Sequence, residues 1–237
     1  LHPRQTLALP VAYCEHALMI EGSHTLRNEQ RDFVEWHRGR KPYVFWALDI
    51  ETEAVRQKLA AAARHLDGLL LDGYARQPHI TLEICGFAGQ EPTAADEFGP
   101  DHLQAQIEAL RQAAPPPFDI EIGELDSFNS APYLALNKGS EAIAEIRRCL
   151  ARGGAMRLYG DYVSHVTVGL YADAWLADEV NALLAAFPAS VALWQRIESV
   201  SLMGYDPSEI GGALRRLGAF QLDSRDMVWH EWNRVTP

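Results

Sequence analysis

The sequence is poor in cysteine and in basic residues, and each shortage argues against a class of protein. Its three cysteines (Cys14, Cys85 and Cys149) are an odd number without the spacing of a metal site, which favours reduced thiols and a cytoplasmic location. Lysine and arginine total 21 against 32 aspartate and glutamate residues, giving a net charge of −11. Because nonspecific nucleic-acid binding needs clustered cations, this balance argues against a broad phosphate-tracking surface, but not against a small cleft for one phosphodiester.

Long apolar runs are also missing. No hydrophobic stretch has the length needed to span a bilayer, and the N-terminus lacks the basic-then-apolar pattern of a secretory signal. Hydrophobic residues make up 48% of the chain, which is enough for a sizeable globular core. We therefore expect a globular protein without a membrane partner, and we favour a monomer.

Two similar series of elements make up most of the chain. Residues 1–40 read as an irregular N-terminal extension, residues 41–223 as one domain, and residues 224–237 as a C-terminal tail. Within the domain, a first repeat at about 42–128 and a second at about 132–203 each run strand, helix, strand, helix, strand. The predicted strands are 43–50, 79–87, 118–122, 132–136, 164–171, 191–203 and a last one within 210–222, and the predicted helices are 51–66, 101–114, 140–152 and 173–187.

A His-x-Thr motif lies at equivalent places in the two repeats, as His79-Ile80-Thr81 and His165-Val166-Thr167. Side chains alternate along a strand, so each histidine shares a face with its threonine while the residue between them points into the core. Nine histidines and seven threonines in 237 residues predict roughly 0.3 such motifs by chance. Two matches in equivalent strands favour a shared site over the alternative of two structural histidines bonded to neighbouring hydroxyls.

Two imidazoles and two hydroxyls suit phosphodiester hydrolysis. The reaction takes a proton from water and gives one to the leaving oxygen, and an imidazole with a pKa near 6.5 can do either near neutrality. Hydroxyls can donate to the non-bridging oxygens as charge develops there. No cysteine or aspartate stands at metal-ligand spacing near the motifs, so we expect no metal and no cofactor.

The paired motifs resemble those of the two-histidine phosphoesterase superfamily, and more closely its LigT-like, 2′-5′ RNA ligase branch. The resemblance covers Tyr43 to about Asp223, and the opening strand Phe45-Trp46-Ala47-Leu48-Asp49 is similar to the family's first strand. It implies an α+β, bilobal fold with two-fold pseudo-symmetry, in which each lobe is a mainly antiparallel sheet with flanking helices around an active cleft. It also implies His79 as the acid, His165 as the base, and Thr81 and Thr167 as the phosphate-holding residues. The extension before Lys41 departs from the compact members of the family.

A second departure is Glu83, which is expected on the face of His79 and Thr81, while its counterpart in the second repeat is Gly169. Its carboxylate either orients His79 or a ribose, or reaches solvent at the end of the strand. Several other side chains are candidates for substrate contacts outside the motifs. The aromatic candidates for stacking a base are Phe45, Trp46, Phe128 and Tyr162, and the candidates for a phosphate are Arg157 and Arg38.

Three functions remain open from the sequence. The first is hydrolysis of RNA 2′,3′-cyclic phosphate ends, with or without reversible 2′-5′ ligation. The second is hydrolysis of a small cyclic nucleotide or oligonucleotide, and the third is nucleotide binding without catalysis. The acidic composition favours small substrates over long RNA, because extended phosphate contacts need lysine and arginine.

Overall fold

A computed structural model describes residues 20, 22–152, 162–188 and 192–230 of the chain. The helices are α1 (Val34–His37), α2 (Glu53–His65), α3 (Pro100–Ala113), α4 (Ser140–Ala151) and α5 (Ala177–Ala186). The strands are β1 (Tyr43–Asp49), β2 (His79–Ala88), β3 (Glu97–Phe98), β4 (Phe118–Ser127), β5 (Pro132–Lys138), β6 (His165–Thr167), β7 (Leu193–Ile197), β8 (Ser199–Tyr205), β9 (Arg215–Gln221) and β10 (Met227–Trp229). No helix in these ranges has both the length and the apolar character that crossing a membrane requires.

The strands form two sheets. The first runs β10-β9-β8-β1-β2-β3 and the second runs β6-β5-β4-β7. Neighbouring strands are antiparallel except β2 and β3. Helices α2, α3, α4 and α5 bury their apolar faces in a continuous core that also contains side chains of both sheets. This arrangement confirms the predicted α+β fold of two mainly antiparallel sheets with flanking helices.

The two repeats exchange their last strands. Strand β4 follows the first repeat's helices but pairs with β5 and β7 in the second sheet, whereas β8 pairs with β1 in the first sheet. The prediction of one strand at 191–203 is therefore wrong, because Glu198 alone separates β7 from β8 and the chain changes sheets there. The sequence carries a signal of this break, since the apolar alternation shifts phase between Ile197 and Val200.

The predicted strand at 164–171 and the helix predicted to begin at Asp173 are both too long. Strand β6 ends at Thr167 and α5 begins at Ala177. The chain between them bonds to the N-terminal segment instead: the Thr25 amide donates to the Trp175 carbonyl at 2.8 Å, and the Trp175 amide donates to Thr25 Oγ1 at 2.9 Å. These contacts use backbone groups that a longer strand or helix would need.

Residues 22–40 connect the two lobes. At one end, the Leu26 amide donates to the Asn129 carbonyl at 2.7 Å, in the loop between β4 and β5. At the other end, the Trp36 ring packs on Tyr43 and Phe87 of the first sheet, with 5.1 Å between ring centroids in each pair. The segment predicted to be irregular is thus tied to both sheets.

Asn28 provides a test of this connection. Its Nδ2 donates to the Ser130 carbonyl at 2.8 Å and to the Tyr171 carbonyl at 3.0 Å, and the side chain is buried. Asn28→Ala should lower the free energy of unfolding by about 2–3 kcal/mol, since it removes two buried hydrogen bonds and leaves two carbonyls without this donor. Urea denaturation measures the loss. Gln30→Ala, which removes one exposed 3.4 Å bond to the Asp72 carbonyl, is the matched control and should change stability by less than about 0.5 kcal/mol.

Candidate functional site

The first motif opens strand β2. His79 lies opposite Asp49 and Thr81 lies opposite Ala47 of β1, so both motif residues share the face that turns away from the helices. Ile80, between them, is completely buried in the core. His79 and Thr81 are themselves buried, with 7% and 8% of their surface exposed. The first imidazole therefore lies deeper than a side chain on an open cleft wall.

The second motif forms strand β6. His165 lies opposite Ala135 and Thr167 lies opposite Tyr133 of β5, while Val166 is buried in the core. Both motif residues are half-buried. The two sites are alike in register but differ in exposure, with the second histidine nearer to solvent.

The two motif strands approach each other across the boundary between the sheets. Tyr162, three residues before His165, donates its hydroxyl to the Thr81 carbonyl at 2.8 Å. Arg147 on α4 places its guanidinium carbon 3.5 Å from the centroid of the Tyr162 ring and donates to the Leu82 carbonyl. Tyr162 was a candidate for base stacking, and here its hydroxyl and one ring face bind the protein itself.

Both histidines are oriented by the same backbone contact. His79 Nδ1 is 2.8 Å from the Gln77 carbonyl, and His165 Nδ1 is 2.7 Å from the Val163 carbonyl, two residues earlier in each case. A carbonyl only accepts hydrogen bonds, so Nδ1 carries the proton in each neutral ring. Nε2 is then the nitrogen that exchanges a proton with a substrate. The His-x-Thr pattern did not reveal these carbonyls, because backbone acceptors leave no mark in a sequence.

Aromatic side chains pack against both imidazoles. Phe45 lies 5.6 Å from the His79 ring between centroids, and Phe128 lies 4.8 Å from the His165 ring in an edge-on arrangement. Phe128 also stacks on Tyr133 at 4.1 Å. Both phenylalanines were predicted to stack a nucleobase, but both are buried. Their observed contacts position the histidines.

Trp46 and the charged candidates lie elsewhere. Trp46 is completely buried on the helix side of β1, where its Nε1 donates to Gln106 Oε1 at 2.7 Å, which removes it from the base-stacking candidates. Glu83 is half-buried at a bulge of β2 opposite Trp46. Arg38 is exposed and donates to the Glu35 carbonyl at 3.4 Å, and Arg157 lies outside the described residues.

Gly169, the counterpart of Glu83, has no side chain, and its surroundings are closely packed. A Cβ placed there would lie 3.0 Å from Leu70 Cδ1, closer than most real contacts of a Cβ atom. A side chain at this position would have to displace Leu70. The second motif thus packs closely on the segment before β2 at this position.

Arg76 is a charged neighbour of the site that sequence reasoning missed. It lies three residues before His79, half-buried, with its guanidinium carbon 4.3 Å from the centroid of the Tyr205 ring. Gln77, next to it, holds the start of β2 by a bond from the Leu214 amide to its Oε1 at 2.8 Å. The order Arg-Gln-Pro-His is visible in the sequence, but nothing in that pattern marks the arginine as a neighbour of the imidazole.

The surroundings of His79 favour its neutral form. Burial, the positive charge of Arg76 and the charge of His165 together lower its pKa from 6.5 to about 3, against a smaller opposing effect of the Gln77 carbonyl. Burial is the largest cause. His79 is therefore neutral in the free protein at neutral pH.

In the described ranges, no three His, Cys, Asp or Glu side chains are grouped so that they could hold a metal ion. The two cysteines in those ranges, Cys85 and Cys149, are buried free thiols.

Comparison with known proteins agrees with this arrangement. A family model described as "2′-5′ RNA ligase superfamily" matches residues 47–209, which include both motifs. Crystal structures of E. coli LigT are similar in fold. The complex with 3′-AMP gives a TM-score of 0.52 at 14% identity over 78% of this chain and 99% of LigT, and the apo form gives 0.52 at 15% identity over 76% and 98%. A comparison with curated protein sequences gives no match.

The low pKa of His79 predicts acid sensitivity. Its folded-state pKa lies below the ordinary 6.5, so the unfolded chain binds the proton more tightly. The stability that neutral His79 contributes is complete above pH 6.5 and is lost as the pH falls toward 3, by about 1.4 kcal/mol per unit.

Urea denaturation at pH 7 and at pH 5 gives the free energy of unfolding at each pH. From pH 7 to pH 5, this free energy should fall by about 2 kcal/mol more in the parent protein than in His79→Gln. Thr81→Val alters the same strand without removing a proton-binding group, so it should keep the parent's pH dependence. Equal losses in the parent protein and in His79→Gln would contradict the buried, neutral imidazole.

Proposed function

Because the chain belongs to the 2′-5′ RNA ligase superfamily, whose members are two-histidine phosphoesterases, we propose that it is a metal-independent phosphodiesterase acting on RNA-type 2′,3′-cyclic phosphate ends or 2′-5′ linkages. The observation that carries the proposal is the pair of imidazoles on approaching strands, each held by a carbonyl two residues earlier so that Nε2 carries the chemistry.

His79 is the proposed base. The neutral imidazole accepts a proton from the attacking water as the oxygen bonds to phosphorus, and burial and Arg76 hold it in that neutral form. His165, nearer to solvent, gives a proton to the leaving oxygen as the phosphorus–oxygen bond breaks. Family resemblance implied the reverse order, with His79 as the acid. In the ligation direction the two histidines exchange roles by microscopic reversibility.

Thr81 and Thr167 are the proposed phosphate-holding residues. Each shares a strand face with its histidine, and each hydroxyl can donate to a non-bridging oxygen as negative charge builds in the transition state. The hydroxyls carry no proton in the cycle, so their loss slows the reaction without changing which groups titrate.

The substrate is proposed to be of nucleotide size. LigT, which shares the fold, has been crystallised with 3′-AMP, with ATP and with phosphate. The net charge of −11 favours a short ligand over a long RNA, because a long strand would need cations along its path. That same charge favours the second candidate function, which is hydrolysis of a small cyclic nucleotide or oligonucleotide.

We also propose a cytoplasmic location, because the cysteines are reduced.

Turnover with EDTA present tests the activity. A 2′,3′-cyclic mononucleotide, a 2′-5′ dinucleotide and a cyclic-ended RNA serve as parallel substrates. Hydrolysis of at least one is expected, and His79→Ala and His165→Ala should each lower its rate by about 10²–10⁴-fold. Activity that EDTA abolishes and zinc or manganese restores would contradict a metal-independent reaction. No turnover of any substrate would favour a binding protein without catalysis.

A substrate with a better leaving group separates the two roles. A 4-nitrophenyl leaving group needs little protonation, so a nucleoside 4-nitrophenyl phosphodiester should restore most of the rate of His165→Ala but not that of His79→Ala. Comparing kcat/KM for this ester and for the 2′-5′ dinucleotide in both variants gives the assignment. The opposite pattern of rescue would make His79 the acid, as family resemblance implied.

Removing the threonine hydroxyls should lower the rate without changing its dependence on pH. Thr81→Val and Thr167→Val keep the branched shape that suits a strand and should lower kcat by about 10–10³-fold, with little change in the pH dependence of kcat. Full activity in either variant would remove that residue from the phosphate site. The control is Thr93→Val, an exposed threonine in the loop before β3, which should keep the parent's rate.

A further inference from the structure

A polar cavity of about 330 Å³ lies on the first sheet, on the same face as His79 and Thr81. The side chains that give it its character are those of Asp49, Ser199, Ser201, Arg216 and Gln221. Arg216 forms an ion pair with Asp49, and both residues line the cavity. Neither predicted motif includes any of these residues.

Strand register connects the cavity to the first motif. Thr81 lies opposite Ala47, Ala47 opposite Ser201, Ser201 opposite Ala219, and Ala219 opposite Val228. Directly paired residues point to the same face, so these five form one row across the sheet. Strands lie about 4.8 Å apart, which places Ser201 roughly 10 Å from Thr81 along the row. A ligand whose phosphate lies at Thr81 therefore reaches the cavity with an adjoining group.

Two further pairs lie beside this row. Asp49 on β1 lies directly opposite His79 on β2, and Ser199 on β8 lies opposite Gln221 on β9. All of these except His79 line the cavity. The cavity therefore lies on the same face of the sheet as the motif, and its lining begins at Asp49, the residue directly opposite His79.

On the side of Thr81 away from the cavity, buried side chains cover the same face of the sheet. Beyond Thr81, strands β1 and β2 present Tyr43, Phe45, Ile84 and Phe87, which are buried together with Trp36 of the N-terminal segment. An aromatic cluster sealed in this way leaves no room for a polar ligand. Among the described residues of this face, the cavity is therefore an open direction for the part of a substrate that adjoins the phosphate, whereas the aromatic cluster is not.

The chemistry of the lining identifies the class of ligand. The half-buried Ser199 and Gln221, the Arg216–Asp49 pair and the exposed Glu51 provide donors and acceptors at short intervals, as hydroxyl-rich and heteroaromatic groups require. Val228 flanks them with 46% of its surface exposed and offers an apolar contact for the face of a ring. We propose that this cavity binds the nucleoside attached to the phosphodiester, with its ribose hydroxyls and base edge on these side chains. The assignment rests on the proposed function, because it takes the phosphate to lie at Thr81.

Equilibrium binding tests the assignment without requiring turnover. Calorimetric titration compares adenosine 3′-monophosphate with inorganic phosphate on the full chain. The parent protein should bind the nucleotide at least about tenfold more tightly than phosphate, since the nucleoside adds several hydrogen bonds. Arg216→Gln and Gln221→Ala should each lower this affinity ratio by about three- to tenfold.

The control is Arg196→Gln. It breaks a comparable ion pair between strands, Arg196 with Asp119 at 3.2 Å in the second sheet, and it should leave the affinity ratio unchanged. Urea denaturation of each variant shows whether the fold is retained, and Gln221→Ala, which breaks no ion pair, keeps the test valid if Arg216→Gln unfolds.

Three results would overturn the nucleoside site. The first is equal affinity of the parent protein for the nucleotide and for phosphate, including binding of neither. The second is an unchanged affinity ratio in the cavity variants, and the third is a fall of that ratio in Arg196→Gln as large as in the cavity variants. The turnover assay is a separate test. If no substrate is hydrolysed but the cavity variants lower the affinity ratio, the catalytic proposal is contradicted and the cavity assignment is retained.

Discussion

Backbone pairing between the halves of the chain is the constraint on which the rest of the structure depends. Strand β8, from the second half, pairs with β1, and β4, from the first half, pairs with β5. Neither sheet is complete without strands from both repeats. Strands β2 and β6, which carry the two motifs, pair with β1 and β5 and so take their position from this exchange. The approach of the two motif strands is thus a result of how the sheets are assembled.

The same motif is placed in two different environments. Each imidazole is held by a carbonyl two residues before it and packs on a phenylalanine, so local geometry is shared. The difference comes from exposure and charge: His79 is buried near Arg76, whereas His165 is half-buried. A repeated sequence can therefore supply two imidazoles in different environments, because the pKa depends on surroundings that the motif does not encode.

Sequence patterns predicted the features that depend on local periodicity. The two repeats, the motif strands and the burial of Ile80 and Val166 follow from alternation along strands. Alternation tells which residues share a face but not whether that face is covered, and this is why Phe45 and Phe128 were taken for base-stacking residues. Backbone contacts were beyond reach for a related reason. The N-terminal segment is ordered by amides that bond distant carbonyls, and such bonds leave no pattern of side chains.

The direct connection of the sheets has a consequence for how a ligand enters. Only Glu198 separates β7 in one sheet from β8 in the other, and the N-terminal segment ties the two lobes together a second time. Hinged closure needs a stretch of backbone that absorbs large changes in dihedral angle, and one residue flanked by paired strands on both sides gives little of it. We therefore expect the two sheets to keep their relative position when a ligand binds, so that the width of the space between them limits the size of the group that can enter.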